Sequence, residues 1–589
     1  MTQPPGAPLV PGHLVWLALA VAAALAYLVG LGGNTIPTFG DELVYAHIAR
    51  LTSDSGHWLP LVSTDPAMRN TKPPLLFWQA MAAGQAGGWS LFSIRLPSVL
   101  YTWGTALMVG LLTARLARQS AVSCKGQPDQ KRALHPVTAG AFAALVYLSF
   151  LTTYRFGRPF LTNAPETFWL CGVFLALAWS PARLLASRGW FPLLAGLAVG
   201  VGCLFKSFAM VVPVAVGLAL CYQVVGARRA PWQLRRQGLW RDVAKTAAVC
   251  LLAVGVFSVW FALDPQPGEV WREFVVGENA GKFKSSPGYF KVAFSGTSGV
   301  WAIITGYFSN AGLLLPVVVG AAWAAWRSWR QQRPLSAAEK VLWLWLLALA
   351  LVFMLPNQRT SRYLIPAMPA AAVLVALQWQ RMARIWLVLT LGLCALAAVA
   401  LAWVAWGAVR ATQDAALYSP LFWLCAALGT LGCIAGMVQP RWTRPVCALA
   451  GFGVFMLLAG ASGPFNGPLG QFKPATLAAL QGQTVAVPYN TNGQYERYFF
   501  LLPGAKTVPY LALQPGDVLD AELTALLAKN RYAVVLRRLG EPVCSTCTVV
   551  DVRWDTRSQR GAHEGALMAF EAPERYFYAR EYLVQGAQP

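Results

Sequence analysis

The stretch that decides the fold runs from residue 13 to residue 50: H-L-V-W-L-A-L-A-V-A-A-A-L-A-Y-L-V-G-L-G-G-N-T-I-P-T-F-G-D-E-L-V-Y-A-H-I-A-R. Its first part, His13 to Leu31, holds no Asp, Glu, Lys or Arg and matches the roughly 20 apolar residues a helix needs to cross a hydrocarbon core about 30 Å thick. The character then changes sharply. Two adjacent acids, Asp41 and Glu42, open a segment whose Leu43, Ala46, Ile48 and Ala49 fall on one face at helical spacing. That pattern predicts a helix lying along a membrane surface, with both acids in the first turn, where the helix dipole favours negative charge.

The rest of the chain repeats the apolar half of this pattern. Of 589 residues 56% are hydrophobic and only 12% charged, about half the charge of soluble domains, so an ordinary water-soluble enzyme is excluded. Disorder is excluded by the same hydrophobicity, and 11 Cys are too sparse for a disulfide scaffold. Apolar stretches lie near 13–31, 93–116, 136–153, 166–181, 190–205, 207–225, 246–263, 300–326, 341–355, 363–378, 385–409, 421–438 and 446–461. The expected fold is therefore a polytopic α-helical membrane protein with about thirteen transmembrane helices.

Basic residues accumulate on the cytoplasmic side of membrane proteins. Alternate connections here carry 21 of the 47 Lys and Arg, among them Arg115, Arg118, Arg228, Arg229, Arg235, Arg236, Arg327, Arg330, Arg381, Arg384, Arg441 and Arg444. These connections read as cytoplasmic, which puts the N-terminus inside, as an uncleaved anchor, and everything after Ala461 outside. Residues 1–461 form the membrane part, with long outer loops at 33–90 and 264–298. Residues 462–589 read as a soluble α/β domain, from short β-like runs at 484–487, 532–536 and 548–552 and a helical stretch at 519–529. Its Cys544 and Cys547 favour a local disulfide over zinc, because only His563 stands nearby as a further ligand.

The first outer loop is too long for a simple connection and holds G-H-W-L-P and N-T-K-P-P-L-L-F-W after the D-E-L-V-Y-A-H-I-A-R segment. Lys72 before Pro73 and Pro74 is a cation on a stiff turn, suited to a phosphate at membrane depth. Further along come R-L-P-S at 95–98, G-R-P-F-L-T-N-A-P-E-T-F-W at 157–169, G-V-G-C-L-F-K-S at 200–207, G-E-N-A-G-K-F at 277–283 and R-T-S-R-Y-L-I-P-A-M-P at 359–369.

In this order the motifs resemble the bacterial polyprenyl-phosphate-sugar-dependent glycosyltransferases of the GT-C fold, a group that includes the ArnT-like lipid A aminoarabinose transferases and the protein O-mannosyltransferases. The resemblance runs through most of the membrane part. It implies a GT-C catalytic domain at 1–461, whose outer loop 264–298 folds over a cavity, and a periplasmic domain at 462–589. Asp41 matches the catalytic carboxylate, with Glu42 orienting it or contacting the donor. Lys72, Lys206 and Arg359 match basic positions near the donor phosphate, with Arg158 and Arg362 completing the pool, and Tyr45 and Tyr363 stand beside them. Glu278 and Lys282 match an acidic and a basic position of the later loop. Two positions depart from the pattern: Asn163 stands where a second acid is usual, with Glu166 three residues on, and Thr71 stands where aminoarabinose transferases tend to have an acid before the Lys.

The reaction implied is transfer of a sugar from undecaprenyl phosphate to a lipid acceptor such as lipid A at the periplasmic face of the bacterial inner membrane. Fixed cations stabilise the leaving lipid phosphate, and Asp41 takes the acceptor's proton. Two carboxylates in retaining geometry are not evident, so inversion is expected. Since Asp41 and Glu42 are adjacent and not an Asp-x-Asp pair, no cofactor is required and a divalent metal is not expected. The partners are the polyprenyl-phosphate-linked sugar donor, the acceptor and membrane lipids, with no nucleic acid. A protein or glycan O-glycosyltransferase is the alternative within the class. A lipid or polysaccharide transporter is the alternative outside it, although the two related halves common in transporters are not visible.

Overall fold

The computed structural model describes residues 12–35, 40–64, 69–123, 134–225, 238–283, 292–294, 298–331, 335–489, 495–511, 520–556 and 568–586. His563 lies outside these, as does most of the loop after Phe283.

Each of the thirteen apolar stretches is helical over most of its length. Seven helices among the described residues are long and apolar enough to cross a membrane: Leu91–Ser120, Leu239–Leu263, Gly306–Arg330, Ser361–Gln378, Arg384–Thr412, Pro420–Val438 and Pro440–Asn466. Shorter apolar helices accompany them at Gly12–Leu28, Pro136–Leu148, Trp190–Cys203 and Phe208–Val224. Leu251, Leu396 and Leu421 are 74%, 67% and 65% exposed, and a soluble protein would not present such side chains along whole helix faces to water. The chain is a multi-pass membrane protein.

The elements that gather around the Asp41–Glu42 turn are α1 (Gly12–Leu25), α2 (Gly40–Asp54), α3 (Pro74–Gly87), α4 (Leu91–Ser123), α5 (Pro136–Leu148), α6 (Leu151–Phe156) and α7 (Asn163–Trp179). The 136–153 stretch is therefore two helices, interrupted at Ser149 and Phe150. The 300–326 stretch is likewise broken, into Trp301–Ile304, Gly306–Ala311, a 3-10 turn Gly312–Leu314 and Leu315–Arg330. Gly312 has φ +60°, and a Cβ there would lie 2.5 Å from Leu151 Cβ, so only glycine fits at this junction. Both interruptions fall at the edge of α6, and helix breaks at membrane depth are tolerated where the backbone is buried in protein.

Two hydrophobic clusters divide the membrane part. The larger packs the spans around residues such as Trp345, whose ring stacks on Phe174 at 4.0 Å and whose indole N–H donates to the Pro366 carbonyl at 3.1 Å. The smaller gathers Leu43, Tyr45, Ala46, Ile48 and Ala49 of α2 with Leu76, Phe77 and Ala80 of α3, plus Phe156, Phe160, Phe205 and Ile365. The apolar face read for α2 is thus covered by α3 and by the ends of several spans.

After Asn466 the chain builds a five-stranded sheet of order β2-β1-β3-β5-β4, with β1 Thr484–Tyr489, β2 Lys506–Leu511, β3 Tyr532–Arg538, β4 Cys547–Thr556 and β5 Tyr578–Gly586. β1 pairs parallel with β2 and β3, while β5 pairs antiparallel with β3 and β4. Cys544 and Cys547 are joined as a disulfide. The segment leading into β5 is tied to the helix Arg384–Thr412: Tyr578 donates to the Val404 carbonyl at 2.9 Å, Trp403 to the Ala569 carbonyl at 3.0 Å, and Arg410 pairs with Glu574 at 3.2 Å. A second contact reaches α2, where the His47 ring stacks on Phe499 at 3.9 Å.

Candidate functional site

Asp41 and Glu42 occupy the first turn of α2, where the dipole stabilises both, and the 100° step between neighbours on a helix sends them apart. Glu42 is fully buried: Arg95 Nε and Nη2 donate to its two oxygens at 2.6 and 2.8 Å, and the Phe160 amide adds a third bond at 2.7 Å. Arg95 also donates to the Leu31 and Gly33 carbonyls at 2.6 and 2.8 Å, pinning the chain that leaves α1. Glu42 is therefore turned into the protein, away from the exposed side of Asp41, with both its oxygens bonded to protein groups. Its desolvation is offset by a forked guanidinium pair, and its role is to fix the start of α2.

Asp41 faces the other way, 44% exposed, and accepts from Arg362 Nη1 at 3.2 Å. Arg362 sits in the 3-10 turn Ser361–Ala367, capped by Thr360 and held by Asn310, whose amide donates to the Ser361 carbonyl at 2.9 Å. Its Nε donates to Asn163 Oδ1 at 3.0 Å, and its guanidinium lies over the Phe156 ring. One arginine thus joins α2 to the first turn of α7.

On that turn Asn163 and Glu166 share a face at i, i+3 spacing. Glu166 is fully buried and takes Lys206 Nζ at 2.7 Å, while Lys206 lies 5.7 Å over the Tyr363 ring. Lys206 is also within electrostatic reach of Arg362 and Lys72. Lys72 precedes Pro73, whose extended backbone hands over to Pro74 at the start of α3. Its ammonium donates to the Thr71 carbonyl at 2.8 Å and to Glu278 Oε1 at 3.2 Å, and sits 5.8 Å over the Tyr45 ring. Tyr45 is one turn beyond Asp41 on α2, and burial, reinforced by the Asp41 carboxylate, pushes its phenol well above the ordinary value, so it stays a neutral donor.

Nine positions singled out in the sequence therefore converge: Asp41, Tyr45, Lys72, Asn163, Glu166, Lys206, Glu278, Arg362 and Tyr363. The others do not join them. Arg158 is buried at 1% exposure and donates to the Tyr27 carbonyl at 3.0 Å and to the Val29 carbonyl, so it braces the end of α1. Arg359, 3% exposed, donates to the Met354 and Ser298 carbonyls at 2.8 and 3.3 Å and stabilises the turn before Arg362. The Lys282 side chain lies outside the described residues.

Several participants were missed in the sequence. Arg95 belongs to the R-L-P-S motif, and an arginine entering an apolar span demands a buried partner, which was the available signal. Arg69 and Asn70, just before Lys72, hold the segment after Pro267: Arg69 bonds Glu269 and, at 3.4 Å, Glu273, and Asn70 donates to Glu273 at 2.8 Å. Ser207 donates to Asn279 Oδ1 at 2.6 Å. The segment Trp271–Asn279 has π-helical geometry, which brings Glu273 to Arg69 and Asn70, Glu278 to Lys72 and Asn279 to Ser207. Among the described residues no three His, Cys, Asp or Glu side chains converge as metal ligands.

Comparison with known proteins bears on the family resemblance and the fold. No protein-family model matches the chain. The undecaprenyl phosphate-alpha-4-amino-4-deoxy-L-arabinose arabinosyl transferase of Pseudomonas aeruginosa (strain UCBPP-PA14) is 30% identical over 379 residues, covering 61% of this chain and 58% of the relative. The protein of the same name from Erwinia tasmaniensis is 26% identical over 347 residues, covering 57% of this chain and 54% of the relative. The chain thus spans little more than half the length of the curated relatives it matches. The crystal structure of ArnT from Cupriavidus metallidurans bound to undecaprenyl phosphate superposes with a TM-score of 0.58 at 18% identity, covering 96% of this chain and 98% of that one. The fold is therefore that of ArnT, a GT-C fold, and the resemblance read from the motifs is borne out in sequence and in structure.

Proposed function

We propose that this chain is a glycosyltransferase that moves a sugar from a polyprenyl phosphate to an acceptor at the outer face of the bacterial inner membrane. The observation that carries the reading is the placement of Asp41: a half-exposed carboxylate paired with Arg362 at the mouth of a group whose other cations are Lys72 and Lys206. Similarity to proteins named for undecaprenyl phosphate and for arabinosyl transfer supports it, as does a shared fold with a structure that binds undecaprenyl phosphate.

In this mechanism the bond between the anomeric carbon and the phosphate oxygen breaks while a bond forms from that carbon to the acceptor oxygen. The bond electrons leave with the lipid phosphate, whose developing charge is met by Lys72 and Lys206 in a partly dehydrated setting, where fixed cations act more strongly than in water. The acceptor's proton passes to Asp41. Arg362 orients that carboxylate, and a positioned carboxylate within reach of the acceptor hydroxyl can act as its base. With Asp41 acting as base and Glu278 tied to Lys72, no carboxylate is assigned as nucleophile, which favours direct displacement and inversion of the anomeric centre. No divalent ion is needed, because side-chain cations already surround the phosphate position.

The same reading places the N-terminus in the cytoplasm, about thirteen spans across the membrane and residues 462–589 in the periplasm. Lipid A is the acceptor favoured, with protein or glycan hydroxyls the alternative. The test is incorporation of labelled sugar from a polyprenyl-phosphate donor by the purified protein. Mass spectrometry of lipid A, glycans and periplasmic proteins from cells with and without the gene names the acceptor. A lipid or glycan that accumulates on one side of the membrane without any sugar transfer would favour a transporter instead.

A further inference from the structure

The first turn of α7 carries polar atoms that nothing among the described residues satisfies. Asn163 Nδ2, Glu166 Oε1 and Thr167 Oγ1 are all shut off from solvent and have no hydrogen-bond partner among the described residues, on residues 1%, 0% and 2% exposed. At i, i+3 and i+4 they share one helix face. Buried polar groups in folded proteins are almost always bonded, so three orphans on one face mark a place built for a ligand. The amide's orientation is fixed, because its oxygen accepts from Arg362 Nε, leaving only donor hydrogens on the free side. Glu166, by contrast, has its second oxygen on Lys206 and its first free to accept.

The charges around this face are already matched. Glu166 is paired with Lys206, Asp41 with Arg362 and Glu278 with Lys72. An ammonium group entering here would find each carboxylate held by a fixed cation, and would be repelled by Lys206 and Arg362. A hydroxyl fits instead: it donates to Glu166 Oε1 or Thr167 Oγ1 and accepts from Asn163 Nδ2.

We infer that the α7 face of Asn163, Glu166 and Thr167 recognises the sugar of the donor, and that this sugar is a neutral, hydroxylated one and not an aminosugar. The inference rests on the glycosyltransferase reading and adds the substrate class to it. It separates this chain from the relatives named for 4-amino-4-deoxy-arabinose transfer. Asn163 is then a specificity-determining residue.

The experiment measures binding to the purified full-length protein in detergent with three probes: undecaprenyl phosphate alone, undecaprenyl phosphate carrying a neutral hexose, and undecaprenyl phosphate carrying a 4-aminopentose. The neutral-sugar lipid should bind about tenfold tighter than the bare lipid phosphate, the gain of roughly one well-made polar contact. The aminosugar lipid should bind no tighter than the bare lipid. In Asn163→Asp, checked for folding by its thermal transition, the preference should move toward the aminosugar lipid. Tighter binding of the aminosugar lipid to the native protein, or equal binding of all three probes, overturns the inference and leaves the lipid-phosphate reading standing. Binding of none of the three removes the transferase reading and the inference with it.

Discussion

Asp41 and Glu42 are chain neighbours on one helix turn, yet Arg362 holds the first where it is half exposed while Arg95 holds the second where no solvent reaches. The proposed mechanism gives the pair two tasks. The exposed carboxylate is the one proposed as base, and the buried one anchors the start of the helix that presents it.

This division is separable by mutation. Asp41→Asn should lower turnover by about 10²- to 10⁴-fold, the range for a lost general base, with the thermal transition unchanged, since the side chain is half exposed. Glu42→Gln should do the reverse in kind, destabilising the protein by about 3–5 kcal/mol because Arg95 is left as a buried charge without its partner. Transfer that persists at the native rate in Asp41→Asn would remove the base assignment.

Lys72 stands apart from both. Its ammonium is bound to Glu278 and to a backbone carbonyl, close to the Tyr45 face. Lys72→Ala should reduce kcat/KM for the lipid-phosphate donor by about 10- to 150-fold, the worth of a charge-assisted hydrogen bond of about 1.5–3 kcal/mol. An unchanged kcat/KM would place the phosphate elsewhere.

Chelation tests the proposed independence from metal. With Lys72, Lys206 and Arg362 supplying positive charge, transfer should proceed at the same rate in EDTA. Activity lost in EDTA and restored by a divalent ion would show that a metal carries part of that charge.

His47 gives a prediction in pH. Burial, with Arg50 nearby, lowers its pKa from the ordinary 6.5 to about 4, so the imidazole stacked on Phe499 is neutral at neutral pH. The unfolded chain binds that proton at higher pH than the folded one, so the stabilising effect is full above about pH 6.5 and is lost as pH falls through about 4. Protection of the 495–502 segment from amide exchange should fall across that window in the native protein. In His47→Phe, which keeps the stack without a titrating group, the fall should disappear. An identical profile in both would assign the acid sensitivity to another group.

Much of the architecture was legible before the structure because it depends on local properties. Apolar length sets a helix in a membrane protein, and α2 declared itself through periodicity and its two acids. β1, β3 and β4 and the helix Asp520–Lys529 were readable as short β-like runs and a helical stretch. β5 was not: its Tyr-Ala-Arg-Glu-Tyr sequence places Glu581 inside the fold, where Arg553 and Arg497 pair with it, and no run of apolar residues announces such a strand.

The roles of the charges were a different matter. From the sequence, Arg359 matched a basic position near the donor phosphate, and Arg158 and Arg362 joined the same pool of cations. Only the packed structure separates them, turning two guanidinium groups onto backbone carbonyls and the third onto Asp41 across a separation of 321 residues. The sequence determined which residues are apolar enough to enter a membrane and which polar groups lie between those segments. Tertiary structure decided which polar groups meet, because a partner is set by how helices far apart in the chain rotate and pack, and a shift of one position turns a side chain by 100° from cavity to core.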